Sequence, residues 1–160
     1  MLERLAEEVE LPVFRELEEV KLKPSIFGLM CKELVVEPCI DLFASHRHQQ
    51  LPRYYSAYPD DPDALGQNAF AYLWDPGICL YGNAPWTLIG KVLDKIAKEG
   101  ARVLLATPHW KEAPWYWLLQ ELTVRSYEWR GRLYQTEAGN LRPIPKEFTL
   151  FLMWWGSVEF

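Results

Sequence analysis

The sequence predicts an α/β fold of the doubly wound, mainly parallel, open-sheet kind (Rossmann-like), in a single compact domain. Three observations carry that expectation. Apolar runs at 40–44, 77–81 and 102–107 have the continuous hydrophobicity of strands buried on both faces. Between the last two lies a segment with apolar residues at helical spacing. Strand, helix and strand then alternate as parallel units joined by crossovers do. At 160 residues the chain is long enough to bury a core without disulfides or metal.

Residues 1–20 alternate acidic and apolar positions, broken by Pro12, and read as an N-terminal helical leader to a domain over 21–160. Pro24 opens the next helix, with Ile26, Phe27, Leu29, Met30 and Leu34 apolar and proline in the first turn. A strand is expected over 35–44. Residues 45–67 are polar and hold Pro52, Pro59 and Pro62, which reads as a long functional connection anchored by Tyr54, Tyr55 and Tyr58. After a strand at 77–81, residues 87–99 place Leu88, Ile89, Val92, Leu93 and Ile96 on one helical face. Lys91, Asp94, Lys95 and Lys98 take the other, and Gly100 stops the helix. Further on come a strand at 102–107 and an aromatic-rich helix at 114–122, whose Trp115 and Trp117 are expected in the core. A strand or hairpin arm at 125–136 and a last strand at 147–155 complete the pattern.

Composition narrows the function. Cys31, Cys39 and Cys79 form no Cys-x-x-Cys pair and are expected as buried thiols in a reducing compartment. The first residues are acidic where a signal peptide is basic, and no run approaches a membrane span. A soluble, cytoplasmic or nuclear protein without a membrane partner is expected. A net charge of −5, with basic residues scattered and only modest excesses near Arg125, Arg130, Arg132 and Arg142, argues against strong independent DNA binding. DNA binding that is weak, or assisted by a fused or associated partner, stays open. Cys39, His46 and His48 have the residue types of a zinc site, but His-x-His beside Arg47 reads as solvated loop, and no metal site is expected. His109 has no serine or cysteine elbow near it to suggest a hydrolase.

In open α/β sheets ligands bind beyond the carboxyl ends of the strands. That rule selects residues 41–45, 83–86 and 107–110. Asn83-Ala84-Pro85-Trp86 is the most specific of the three. It offers a carboxamide oxygen, a backbone carbonyl before proline and a flat aromatic face, which together can hold an exocyclic amine and stack on its ring. The competing role is a turn in which Asn83 caps the helix from Thr87 and Trp86 packs. On the tetrapeptide alone the turn outweighs catalysis.

The segments at 40–45 (Ile-Asp-Leu-Phe-Ala-Ser), 52–55 (Pro-Arg-Tyr-Tyr), 63–65 (Asp-Ala-Leu) and 81–86 (Tyr-Gly-Asn-Ala-Pro-Trp) resemble the phage-type Dam DNA adenine methyltransferases. Those proteins carry a Thr-Pro, an Asp-x-x-Ala-Ser strand end, a Pro-Arg-Tyr and an Asn-Pro-Pro-Tyr. Lys-Pro-Ser-Ile-Phe at 23–27, Asp-Leu-Phe-Ala-Ser at 41–45, Tyr-Tyr-Ser at 54–56, Ala-Phe-x-x-x-Trp at 69–74 and Pro-x-Trp at 108–110 resemble still more closely the methyltransferase-like domain of DIRS-type retroelement polyproteins.

The resemblance implies a class I methyltransferase fold and S-adenosylmethionine as cofactor. It implies Asp41, Phe43, Ala44 and Ser45 on the methionine side, with Asp41 facing the amino group, and Pro24 among the cofactor-binding residues. Asn68 and Phe70 fall at the cofactor adenine, and Asn83, Ala84, Pro85 and Trp86 at a target adenine in DNA. Ala84 departs from the second position of the family tetrapeptide, and Asn68 stands where relatives usually have aspartate. Two functions follow: a DNA adenine methyltransferase domain, or an inactive methyltransferase-like scaffold or interaction module within a retroelement polyprotein.

Overall fold

The computed structural model describes residues 20–129, 134–136, 141–142 and 148–154. The expected leader therefore lies outside the described residues, apart from Val20. In chain order the elements are β1 (Val20–Leu22), α1 (Pro24–Leu34), β2 (Ile40–Ala44), β3 (Arg53–Ser56), β4 (Cys79–Gly82), α2 (Ile89–Glu99), β5 (Arg102–Pro108), α3 (Tyr116–Leu122), β6 (Thr123–Trp129), β7 (Tyr134–Thr136), β8 (Leu141–Arg142) and β9 (Phe148–Trp154).

The main sheet runs β3-β2-β4-β5-β9-β6. Strands β3, β2, β4 and β5 are parallel, with Ile40 opposite Leu80 and Tyr81 opposite Leu104. Strand β9 is antiparallel to β5, and β6 antiparallel to β9, so the parallel character covers four of the six strands. Apolar content marked β9 as a strand but could not mark its direction, because a continuous apolar run reads the same either way. Strands β1, β7 and β8 make a separate antiparallel sheet.

Alternation along the strands divides the core between two faces. Leu80, Val103 and Leu105 meet Ile89, Val92, Leu93 and Ile96 of α2 and Leu119 and Leu122 of α3. Cys79, Tyr81, Leu104 and Ala106 meet Ile26, Met30 and Leu34 of α1. The sheet is thus covered on both sides. No helix among the described residues is long and apolar enough to cross a membrane.

Several boundaries differ from the sequence expectation. Helix α1 ends at Val35, whose φ of 57° is left-handed, and β2 begins only at Ile40. The connection expected over 45–67 contains β3, a short strand with Tyr54 buried and Arg53 exposed that weak alternation and Pro52 concealed. A 3₁₀ turn, Trp86–Leu88, precedes α2, and α3 starts at Tyr116. Trp117 is 64% exposed, because its position on α3 faces away from the sheet, and is not a core residue. Among the thiols only Cys79 is buried. Cys31 is half-buried and Cys39, just ahead of β2, is exposed. Burial pushes the Cys31 thiol up to about 12, with the neighbouring Cys79 adding to it.

Candidate functional site

Chain order and sheet order disagree at one place. Strand β3 lies on one side of β2, and the chain then returns to lay β4 on the other. Such a reversal leaves a crevice beyond the strand ends, because the two connections diverge. A cavity of about 300 Å³ occupies that crevice, within the size range of small-molecule sites.

Strand β2 supplies the first wall. Asp41 is 2% exposed. Its Oδ1 accepts the Phe43 N–H at 3.3 Å and its Oδ2 accepts the Gln50 N–H at 2.9 Å. The carboxylate thereby draws the loop after β2 back over the strand end. Gln50 extends the tie, its side-chain amide donating to the Leu22 carbonyl of β1. The intervening turn closes on Ser45, whose carbonyl accepts the His48 and Gln49 N–H groups and whose Oγ lies 3.1 Å from His48 Nδ1.

The 3₁₀ turn Ala69–Ala71 supplies the second wall. Asn68 adopts φ 58° and its Oδ1 accepts the Phe70 N–H at 3.2 Å, so the asparagine folds the turn that presents Phe70. Phe70 sits 5.5 Å from Phe43 and 5.8 Å from Trp74 between ring centroids, and Lys91 Nζ lies 4.4 Å above its ring. Trp74 is fixed in turn by its indole N–H to the Ala69 carbonyl at 3.0 Å and by its backbone N–H to Glu99 at 2.7 Å.

Strand β4 supplies the third wall through Asn83, Ala84, Pro85 and Trp86. Ala84 is buried in the main core, while Asn83 and Trp86 are half-buried at the cavity. Neither the 3₁₀ turn that begins after Pro85 nor α2, which begins after Leu88, has a side-chain cap. The turn closes instead by the Leu88 N–H to the Pro85 carbonyl at 2.8 Å. Asn83 therefore does not serve as the helix cap that its position suggested.

All the residues named from the sequence for either half of the site line this one cavity, except Pro24. Pro24 is exposed at the first turn of α1, where its fixed φ starts the helix, and Leu22 two residues earlier takes the place at the cavity. Sequence reasoning also passed over His48, Gln50, Ser56, Tyr58 and Tyr81 as lining residues. Ser56 and Tyr81 stood within the quoted motifs at 54–56 and 81–86 but were not assigned to the site. The others come from the 45–67 connection, whose path across the sheet edge no periodicity encodes.

Thr107 ends fully buried in β5 and does not line the cavity. A second cleft, of about 260 Å³, adjoins the first through Ser45, His48 and Tyr58. Its floor is Asp61, whose Oδ1 accepts the Tyr54 hydroxyl at 2.7 Å and whose Oδ2 accepts the His46 N–H at 2.9 Å. Burial works to raise the Asp61 pKa, but these and other hydrogen bonds outweigh it and hold the group below the usual carboxylate range. Among the described residues no group of three or more His, Cys, Asp or Glu is arranged to hold a metal ion. No family model matches the chain, and no curated protein matches it significantly.

Proposed function

We propose that the cavity at the ends of β2 and β4 takes S-adenosylmethionine together with the exocyclic amine of an adenine, making the chain a DNA adenine methyltransferase-like domain of the phage and retroelement kind. One observation carries the reading: Asn83 lines the same cavity as Asp41 and Phe70 and is not spent on capping α2.

The residues present fit the cofactor. Phe43 and Phe70 give an aromatic wall for a purine. Asp41 gives a buried carboxylate whose orientation two backbone N–H groups fix, which suits an ammonium. Bound there, S-adenosylmethionine would supply an electrophilic methyl group. The Asn83 side-chain oxygen and the Ala84 carbonyl would accept the two amine hydrogens and leave the nitrogen lone pair directed at its target. Pro85 and Trp86 would hold the base ring. The contribution of the chain is positioning and electrostatics, and no covalent bond to the protein is required. An acidic chain of this size would borrow DNA affinity from a partner, such as other domains of a retroelement polyprotein, in the nucleus or cytoplasm.

The inactive-scaffold reading has an observation of its own. Asn68 commits its side-chain oxygen to the Phe70 N–H, a role in holding the turn that needs no cofactor. Incorporation of tritiated methyl into adenine-containing DNA decides between the two. Turnover by the wild-type chain that Asn83→Ala removes supports the enzyme. Zero turnover with intact folding leaves the scaffold.

A further inference from the structure

Open α/β folds that bind phosphate do so with backbone N–H groups left open beyond the strand ends, often with a lysine or arginine beside them. The cavity at β2 and β4 is built against that role. Among the described residues its lining holds no lysine and no arginine. Several of its backbone N–H groups are already committed within the chain. Those of Phe43 and Gln50 donate to the two oxygens of Asp41, those of His48 and Gln49 to the Ser45 carbonyl, and that of Phe70 to Asn68. On the β4 side Pro85 has no N–H, and the Leu88 N–H closes onto the Pro85 carbonyl. Asp41 thus takes from inside the chain the donors an anion would need. It is also the one Asp or Glu in the lining. His46 and Arg47 line the second cleft instead, beside Asp60 and Asp61.

We propose that the cavity selects its ligand by charge: it takes an adenosine whose 5′ substituent is neutral or cationic and turns away nucleotides, with Asp41 as the discriminating group. The adenosine rests on the methyltransferase-like reading, whereas the exclusion of phosphate rests on the lining alone. A phosphate entering here would lose its hydration, meet N–H groups already engaged, and share the cavity with a carboxylate only 2% exposed. A cation in the same place would find that carboxylate already oriented. Phe43 and Phe70, 5.5 Å apart between ring centroids, give the purine its surface in either case. The phosphates of a DNA strand presenting a target base would stay outside the cavity.

Calorimetric titration with adenosine, with adenosine monophosphate and with 5′-amino-5′-deoxyadenosine, which is cationic at neutral pH, tests the selection. S-adenosylmethionine is run alongside. The monophosphate is expected to bind about tenfold or more weaker than adenosine, and the amine about tenfold tighter. Asp41→Asn keeps the size of the side chain and removes its charge, so both gaps should shrink to about threefold or less. Melting curves check that the variant is folded, and the wild-type series decides the matter if it is not. Adenosine monophosphate binding as tightly as adenosine overturns the proposal, and leaves the cofactor reading standing if S-adenosylmethionine binds. Unchanged gaps in a folded Asp41→Asn variant overturn it too. The expected ranking without any binding of S-adenosylmethionine upholds the selection and removes the cofactor. Binding of none of the four overturns both.

Discussion

Asn83 and Asp41 face one cavity, yet the chain uses them differently. Asp41 is buried and holds two backbone N–H groups, so removing it does two things at once. Asp41→Ala is expected to weaken cofactor binding more than Asn83→Ala does. It should also lower the melting temperature, since stranding those N–H groups costs about 1–3 kcal/mol. Asn83→Ala should cut methyl transfer by two to three orders of magnitude, the usual loss of about 3 kcal/mol when one preorganised group is removed from a developing charge. Its melting temperature should stay near that of the wild type, because no helix cap is lost. Parallel rate and melting measurements on both variants check the pair. Asn83 was legible in the sequence as a candidate, but its freedom from capping was not: that depends on the 3₁₀ turn, which starts after Pro85 and shifts α2 to Ile89.

At the scale of elements, α1 carries a strain that its sequence hides. Val35 sits at φ 57° and is 73% exposed, a left-handed position where a β-branched side chain crowds its own backbone. Helix α2 has the matching position filled by Gly100 at φ 66°. Val35→Gly is expected to stabilise the fold by about 1 kcal/mol, raising the melting temperature by roughly 2–4 °C. The loop around Asp61 makes a pH-dependent counterpart. A folded-state pKa below the unfolded one contributes stability above the ordinary aspartate range and loses it as pH falls through the lowered value. The melting gap between wild type and Asp61→Asn should therefore be full at neutral pH and narrow below about pH 4.

For the molecule as a whole, periodicity exposed the elements that pack by simple rules. Helix α2 buries Ile89, Val92, Leu93 and Ile96, and β5 is buried almost throughout, so both could be read from residue type alone. What escaped was the non-local part. The antiparallel setting of β9 is fixed by pairing Val103 with Met153 and Leu104 with Leu152, across most of 50 residues. Strand β3 depends on its pairing of Asp41 with Tyr54 and on the segment after Leu65 that covers its edge. The parts of the candidate site at 41–45 and 83–86 were legible because they sit at strand ends, where polar side chains are conspicuous after apolar runs, whereas Asn68 and Phe70, at a 3₁₀ turn, were named only through the resemblance. The extent of the site was not legible, because Leu22, Gln50 and Tyr58 reach it from elements whose course the strand pattern leaves free.

Calorimetric titration of the chain with S-adenosylmethionine and with its demethylated product tests whether this cavity binds the cofactor. Saturable, one-to-one binding of both is expected, nearly unchanged in Asn83→Ala and much weakened in Asp41→Ala and Phe70→Ala. Ligand at about 100 times its Kd should stabilise the fold by about 2.7 kcal/mol in a parallel melt. No heat and no thermal shift at saturating ligand, with the chain folded, would contradict it. Binding that survives both Asp41→Ala and Phe70→Ala would place the cofactor somewhere other than this cavity.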